Sequence, residues 1–321
     1  MIPYFLALII SCLILFYAGK LLIVGLEQVA RVLGWREFVV SFFIMAFAAS
    51  IPNLSVGISS GLRGIPELSF GDVMGGSVIN LTIAVALAVL FTKNHKLSAK
   101  SKTVQTTSLF TISIAILPLI LILDNNLDRR DGLILIAAFV CYLIWLFSDK
   151  ERFCRTFEGK NLSENNKNKM ILKSLGEIIL GVTLLILASE TIIRSALALA
   201  EELNLSLGII GILLVGLGNA IPETYFAISS ARAGDAWMVL GNLMGSTIML
   251  ATLVLGIVVL IHPIEMIDFS PFVVARIFLI ISSLFFLYCV RSDKEITGKE
   301  AVFLFILYLL FVASEICLNS L

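Results

Sequence analysis

Two short stretches decide the fold of this chain: GLGNAIPE at residues 216–223 and AFAASIPN at residues 46–53. Each is apolar, each carries Ile-Pro at the same place, and each ends in a polar residue, Glu223 in one and Asn53 in the other. A proline inside a helix removes a hydrogen bond and clashes with the carbonyl four residues earlier. Two such prolines, each followed at once by a polar group, predict a pair of related sites inside an apolar structure.

The composition places these sites in a membrane. Of the 321 residues, 59% are hydrophobic and only 14% are charged, whereas soluble domains keep about a quarter of their residues charged. Apolar runs of about 20 residues can span a bilayer as helices. The sequence predicts an all-α integral membrane protein with ten such helices, at residues 3–25, 37–61, 68–92, 105–123, 132–148, 173–199, 206–231, 237–261, 272–290 and 300–318.

The basic residues predict the orientation of these helices. They concentrate in the link after the third run and in the segment 149–172 after the fifth. With ten spans both links lie on one side, and the excess of lysine and arginine makes that side cytoplasmic. We therefore expect a multi-pass protein of the cell membrane with a cytoplasmic linker at 149–172 and both termini external. We expect contact with lipid and no nucleic-acid partner; whether inorganic cations are partners depends on the polar groups within the spans.

The linker divides the chain into two halves of five spans each, residues 1–148 and 173–321. An odd number of spans makes the second half enter the membrane from the opposite side, so similar halves form inverted repeats. The halves match at a constant offset of 170 residues: Ile51-Pro52 with Ile221-Pro222, Ser59-Ser60 with Ser229-Ser230, Gly71 with Gly241, and Met74-Gly75 with Met244-Gly245. Inverted repeats are typical of secondary transporters, which hold substrate near the bilayer midplane.

The proline segments carry groups that are costly to bury. A carboxylate such as Glu223 in mid-bilayer costs on the order of 3 kcal/mol, which makes it a candidate functional residue. Pro52 and Pro222 also free the carbonyls of Ala48 and Gly218. These carbonyls either bond a neighbouring helix or point at a cation, and their matched positions favour the cation.

A second pair of motifs follows, GDVMGGSVIN at 71–80 and GNLMGSTIML at 241–250. Their glycines allow close packing against a neighbouring helix. Asn80 and Ser246 are candidate ligands from these helices. The competing interpretation is that Ser246 bonds back to its own helix and that the amide of Asn53 serves an interhelical hydrogen bond.

Together these motifs resemble the alpha repeats of the sodium/calcium exchanger family, in which a G-T-S-x-P-E segment precedes a G-N-x-x-G-S-N-I helix. The resemblance extends over nearly the whole chain and implies a secondary cation antiporter. It implies cation binding by Glu223, Asn53, Asn80, Ser246, Ser50 and Asn219, with the first four as direct metal ligands. The transported ions it implies are Na⁺ and Ca²⁺, without a further cofactor.

The chain departs from the family pattern at several of these positions. An acidic residue is replaced by Asn53, a serine by Gly76, and an acidic or amide residue by Leu250. One carboxylate and two amides give a formal charge of −1, which does not neutralise a divalent ion. The sequence therefore leaves open weaker Ca²⁺ binding, a monovalent cation exchanger with proton coupling through Glu223, and a transport-inactive member of the family.

Two other classes of membrane protein fit the sequence less well than an antiporter does. A passive channel fits poorly, because no filter loop is visible in the sequence. An intramembrane enzyme fits worse, because the chain has no His-x-x-x-His zinc motif and no nucleophile beside a base. We expect no enzymatic activity.

Overall fold

The computed structural model describes residues 2–32, 45–148, 164–265 and 270–319, which are almost entirely helical. The helices are α1 Ile2–Val32, α2 Met45–Leu62, α3 Pro66–Ile79, α4 Val85–Leu90, α5 Lys102–Leu121, α6 Arg129–Ser148, α7 Glu164–Leu203, α8 Leu207–Ile210, α9 Gly216–Ala233, α10 Ala236–Met249, α11 Leu255–Ile261, α12 Val273–Ser292 and α13 Gly298–Asn319. The predicted all-α class is confirmed.

Several of these helices are continuous with one another through π-helical turns. The segment Asn80–Ala84 joins α3 to α4, Gly211–Val215 joins α8 to α9, and Leu250–Val254 joins α10 to α11. A π turn carries an extra residue relative to the α-helix and occurs often at functional sites.

In the described part of the chain, eight helical segments are long and apolar enough to cross a membrane: Ile2–Leu22, Pro66–Leu90, Lys102–Asp124, Ile171–Leu203, Leu207–Ala233, Ala236–Ile261, Val273–Ser292 and Gly298–Leu318. The protein is therefore a multi-pass membrane protein. The helices α2 and α6 are not among the eight. Residues 37–44, at the start of the predicted second span, and residues 149–163 of the predicted linker lie outside the described residues.

Matched positions in the two halves adopt matched structure. The helices α3 and α10 have 14 residues each, at residues 66–79 and 236–249. Both lead directly into a five-residue π turn. The proline helices α2 and α9 have 18 residues each. For α3 and α10 the offset of 170 residues is thus kept in the backbone as well as in the sequence.

The two glycine-motif helices form the centre of the molecule. In the span Pro66–Leu90, 83% of the most apolar window is buried, and in Ala236–Ile261 the figure is 78%. In Ile171–Leu203 it is only 22%. The other helices thus surround α3 and α10, and polar side chains on these two helices are removed from lipid.

Glycine allows the centre to pack backbone against backbone. A Cβ on Gly75 of α3 would lie 2.2 Å from the carbonyl oxygen of Ile212. One on Gly211 would lie 2.3 Å from the carbonyl oxygen of Leu68. No larger residue fits at either place without moving a helix, so the predicted close packing of the glycine motif is observed.

The long helices α1 and α7 lie side by side against the two proline helices. A Cβ on Gly181 of α7 would lie 2.9 Å from the Leu22 side chain of α1. On the face toward the centre, Cys12 contacts Gly218 of α9, where an added Cβ would lie 2.2 Å from the sulfur. Gly19 lies against Pro52 of α2. One helix thus covers both proline segments.

Two short antiparallel ribbons join loops from opposite halves. The strands are β1 Lys96–Ser98, β2 Asn126–Leu127, β3 Ile264–Glu265 and β4 Glu295–Thr297. β1 pairs with β4 and β2 with β3. Across the first ribbon Lys96 Nζ donates to Glu295 Oε1 at 2.7 Å. The hydrogen bond and the positive charge of Lys96 lower the pKa of the Glu295 carboxyl. The same hydrogen bond and the negative charge of Glu295 raise the pKa of Lys96.

Candidate cation site

Glu223 lies at the centre of a buried polar cluster. It follows Pro222 on α9 and is 1% exposed. Its Oε1 accepts a hydrogen bond from Asn53 Nδ2 of α2 at 3.4 Å and another from Ser246 Oγ of α10 at 3.1 Å. The two proline motifs therefore meet side chain to side chain, 170 residues apart in the chain.

Asn80 extends this cluster to a fourth helix. It is the first residue of the π turn after α3 and is 1% exposed. Its Nδ2 donates to Ser246 Oγ at 3.4 Å. The structure thus brings Asn53, Asn80, Glu223 and Ser246 into one connected group. We call these four residues the Glu223 cluster.

In the described part of the structure, two members of this group and one nearby residue on α9 have oxygen atoms that accept no hydrogen bond. Among the described residues, Glu223 Oε2, Asn80 Oδ1 and Asn219 Oδ1 are buried and have no hydrogen-bond partner. An unpaired acceptor costs free energy in an apolar interior. A cation coordinated by oxygen would relieve that cost, because amide and carboxylate oxygens are the ligands that Na⁺ and Ca²⁺ take from proteins. The residues present therefore fit a cation as cargo.

Asp72 is a buried carboxylate that the sequence analysis overlooked. It lies on α3 and is fully buried. Asn219 Nδ2 donates to its two carboxylate oxygens at 3.1 and 3.0 Å. The sequence did contain a signal for Asp72. Burying a carboxylate in an apolar span costs free energy, and that cost alone marks an acidic residue there as a functional candidate. The ligand count made from the sequence included only the carboxylate of Glu223 and therefore left out Asp72, a second carboxylate buried among the central helices.

The replaced positions Gly76 and Leu250 lie against each other. A Cβ on Gly76 would lie 3.3 Å from Leu250 Cδ1. Leu250 is 1% exposed and begins the π turn after α10, as Asn80 does after α3. The leucine side chain thus lies where a serine at position 76 would project, and the two departures from the family pattern are one packing unit.

The remaining predicted side chains also belong to this region. Ser50 is 1% exposed and lies three residues before Asn53 on α2. Asn219 is 2% exposed and lies one turn before Glu223 on α9. The amide nitrogen of Asn219 donates to Asp72, and its Oδ1 has no hydrogen-bond partner among the described residues, so its role as a cation ligand stays a prediction.

The prolines do not break their helices. Pro52 lies inside α2 and Pro222 inside α9, and both helices continue past them. Departures from α geometry occur elsewhere in the described chain, in three π turns and in the 3-10 turns Ile122–Asp124 and Ser270–Phe272. A proline nitrogen has no hydrogen to donate, so the carbonyls of Ala48 and Gly218 lack the usual helical donor. Whether they coordinate a cation stays a prediction.

The cluster differs from sites built mainly of charged ligands. Within the described ranges, no three His, Cys, Asp or Glu residues come together in a group that could hold a metal ion. An ion here would depend on amide, hydroxyl and carbonyl oxygens in addition to a carboxylate. Such ligand sets suit weakly held, transported ions better than permanently bound ones.

Comparison with known proteins identifies the family. The sequence profile described as "Sodium/calcium exchanger protein" matches residues 3–148 and 173–316. The chain belongs to this family. It is a cation antiporter resembling Na⁺/Ca²⁺ exchangers, and its family is one of transporters.

Relatives of this exchanger match it almost end to end. An uncharacterized membrane protein of Methanocaldococcus jannaschii is 24% identical over 98% of this chain and 97% of its own. The sodium/calcium exchanger MaX1 of Methanosarcina acetivorans is 21% identical over 96% of this chain and 97% of its own. A solved structure of the sodium-calcium exchanger NCX_Mj covers 98% of both chains with a TM-score of 0.66 and 24% identity. At this identity the structural likeness concerns the fold.

Proposed function

We propose that this exchanger carries Na⁺ and Ca²⁺ in opposite directions through one central site formed by the Glu223 cluster, with Ser50 and Asn219 beside it. The observation that carries the proposal is a single hydrogen-bonded group of four side chains, each at most 2% exposed, in which Asn53 and Ser246 donate to the Glu223 carboxylate and Asn80 donates to Ser246. They come from both halves of the chain. Unpaired oxygens in the same place supply further ligands.

The proposal includes ten spans in two inverted repeats, at residues 1–148 and 173–321, joined by a cytoplasmic linker at 149–172 with both termini external. The equal lengths of α3 and α10 support it, and so do their matched π turns. The ribbons support it further, since each pairs one loop from the first half with one from the second. In an inverted arrangement these ribbons lie on opposite sides of the membrane, related by the same two-fold axis.

One central site serves exchange because the two ions compete for it. An ion bound at Glu223 is enclosed by α2, α3, α9 and α10, and α1 lies across both proline helices. Alternating access needs the site to open to one side at a time. The single layer formed by α1 and α7 is the part of the described structure that could move without separating the central helices.

A specific observation favours a second candidate, exchange of monovalent cations for protons. Leu250 and Gly76 supply an apolar contact where the family has oxygen ligands. Fewer ligands suit Na⁺ or K⁺ better than Ca²⁺, which takes 6–8 oxygens in proteins. In that case Glu223 would carry the proton.

The test is ion flux in vesicles. Purified exchanger is reconstituted into Na⁺-loaded vesicles, which are then diluted into Na⁺-free buffer containing radiolabelled Ca²⁺. We expect uptake that needs the Na⁺ gradient and is lost in Glu223→Gln, which removes the charge at nearly constant volume. Glu201→Gln, at an exposed position near the end of α7, is the control and should leave uptake unchanged.

Each other outcome selects another function. Uptake in Glu223→Gln equal to that of the wild type would overturn the site. Uptake that ignores the gradient would indicate a passive channel. Exchange of Na⁺ or K⁺ for protons, dependent on Glu223 and without Ca²⁺ uptake, would establish the second candidate. Vesicles that show no exchange of any of these ions would indicate a transport-inactive member.

A further inference from the structure

We infer that Asp72 is a second carboxylate of the cation site and takes the place of the acidic residue missing at Asn53, so that the site holds a divalent cation. This inference rests on the proposed function and deepens it. It concerns a position that the resemblance to the family does not mark as a ligand.

The burial of Asp72 needs a cause. The residue is fully buried in the span Pro66–Leu90, where an isolated carboxylate costs on the order of 3 kcal/mol. In the described structure Asn219 Nδ2 is the side-chain donor to its oxygens. A carboxylate can accept about four hydrogen bonds. These two hydrogen bonds therefore leave about half of the acceptor capacity of Asp72 to another group.

Asp72 is connected to the Glu223 cluster through α9. Asn219 and Glu223 are four residues apart on that helix, so their side chains are neighbours on one face, with Cβ atoms about 5–6 Å apart. Asn219 Oδ1 and Glu223 Oε2 are both buried without a hydrogen-bond partner among the described residues. Asp72 is thus joined through Asn219 to the face of α9 that carries Glu223, and both side chains on that face have an oxygen that is unpaired within the described structure.

Among the residues that the structure describes, neither Asp72 nor Glu223 forms an ion pair with a basic side chain. Basic side chains pair with other carboxylates, as Arg63 and Arg194 do with Glu190, Lys96 with Glu295, and Lys173 with Glu177. Two buried negative charges without a counter-charge are strongly unfavourable in a low-dielectric interior. One divalent cation balances both.

Comparison of the two halves explains why the carboxylate is at position 72. Asn53 corresponds to Glu223 and Asp72 to Asn242 at the offset of 170. Each pair contains one acid and one amide. The acid is in the second half in the first pair and in the first half in the second pair. The number of carboxylates is therefore still two. The one in the first half is on the glycine-motif helix α3, at Asp72, instead of on the proline helix α2, at Asn53.

The test measures cation binding to purified exchanger by isothermal titration, with Ca²⁺ and Na⁺ titrated separately. Asp72→Asn places at 72 the residue that the fold already accepts at the matched position Asn242, which is 6% exposed. We expect this variant to bind Ca²⁺ at least about tenfold more weakly, while Na⁺ affinity changes much less, because loss of one charge penalises a divalent ion more. Adding Asn53→Glu to Asp72→Asn should restore most of the Ca²⁺ affinity.

The outcomes separate this inference from the proposed function. Ca²⁺ affinity in Asp72→Asn within about twofold of the wild type would overturn the inference and leave the Glu223 site intact. Wild-type protein that binds Na⁺ through Glu223 but not Ca²⁺ would overturn it too, without touching the antiporter assignment. Equal binding in Glu223→Gln and wild type would instead contradict the proposed site.

A second measurement uses the unaltered protein and does not depend on how a variant folds. A structure determined with bound Ca²⁺ should place the ion about 2.3–2.6 Å from an Asp72 oxygen, or one bridging water away. An ion bound at Glu223 with Asp72 outside that range would overturn the inference.

Discussion

The two sides of the cation site have the same backbone and different chemistry. On one side Asn80 begins a π turn and donates to Ser246 at 3.4 Å. On the other side the matched residues are Leu250, which also begins a π turn, and Gly76, which lies beneath its side chain. The first pair is polar and the second is apolar.

This difference shows that the backbone of the site does not depend on its ligands. Both π turns have five residues, and the threonine at their third position bonds back in both: Thr82 to the carbonyl of Val78 and Thr252 to that of Ile248. The scaffold is thus kept on the side that carries no side-chain ligand. Ion preference can therefore change at individual side chains while the packing of the helices persists.

The largest expected effect comes from making the polar side apolar. The double variant Asn80→Leu with Ser246→Gly copies the Leu250–Gly76 pair onto the first side. The same leucine–glycine contact already packs at the matched positions of the wild-type protein. It removes an unpaired amide oxygen and a hydroxyl that donates to Glu223. We expect gradient-driven flux in vesicles to fall by at least about a hundredfold, consistent with a loss near 3 kcal/mol.

The thermal midpoint of this double variant is the control for folding and should stay within a few degrees of the wild-type value. Flux above about a tenth of wild type in a folded protein would mean that the polar side is not where the cation is held.

An intermediate effect comes from making the apolar side polar. Gly76→Ser alone places its Cβ 3.3 Å from Leu250 Cδ1 and should destabilise the protein. Combined with Leu250→Asn, the serine gains both space and a polar neighbour. We expect the two changes to couple by about 0.5–3 kcal/mol in unfolding free energy, and the double variant to bind Ca²⁺ more tightly than wild type in titrations.

Gly176→Ser on α7 is the matched control, because an added Cβ there meets nothing within 4 Å. It should show no coupling to Leu250→Asn. Additive effects of Gly76→Ser and Leu250→Asn would show that the contact between these positions does not matter.

The smallest expected effect tests the shared scaffold. Thr82→Val and Thr252→Val each remove a hydroxyl that bonds the carbonyl four residues earlier in its own helix. Each should lower the unfolding free energy by about 1 kcal/mol or less. Because the two turns match, the two losses should agree within about 0.5 kcal/mol. The losses are measured by unfolding in mixed micelles. Unequal losses would mean that the two π turns contribute differently to the unfolding free energy although their backbones match.

Much of the site was predictable from the sequence because its signals are local. A proline in an apolar run, followed by Glu223 or Asn53, stands out without knowledge of any neighbour. The recurrence of the pattern after 170 residues then pairs the two motifs. Glu223 and Asn53 were predicted in this way, and Asn80 and Ser246 from the glycine motifs that follow. The structure joins the four by hydrogen bonds, while their role as ligands stays a prediction.

Other features could not be predicted because they depend on which helix faces meet. The helix α3 is buried along nearly its whole length, so its sequence has no polar face from which to orient Asp72. The contact between Leu250 and Gly76 joins residues from different halves of the chain. The π turns were not predicted either, since each extra residue is absorbed within a continuous apolar helix.

The sequence by itself thus determined that the protein resides in a membrane and where polar groups interrupt its apolar helices, since the cost of burying a polar group in lipid belongs to each residue separately. Only the tertiary structure decided that Asp72 faces Asn219 and that a leucine covers one side of the site. Charge balance and ligand number are properties of several helices together, and they arise only when those helices pack.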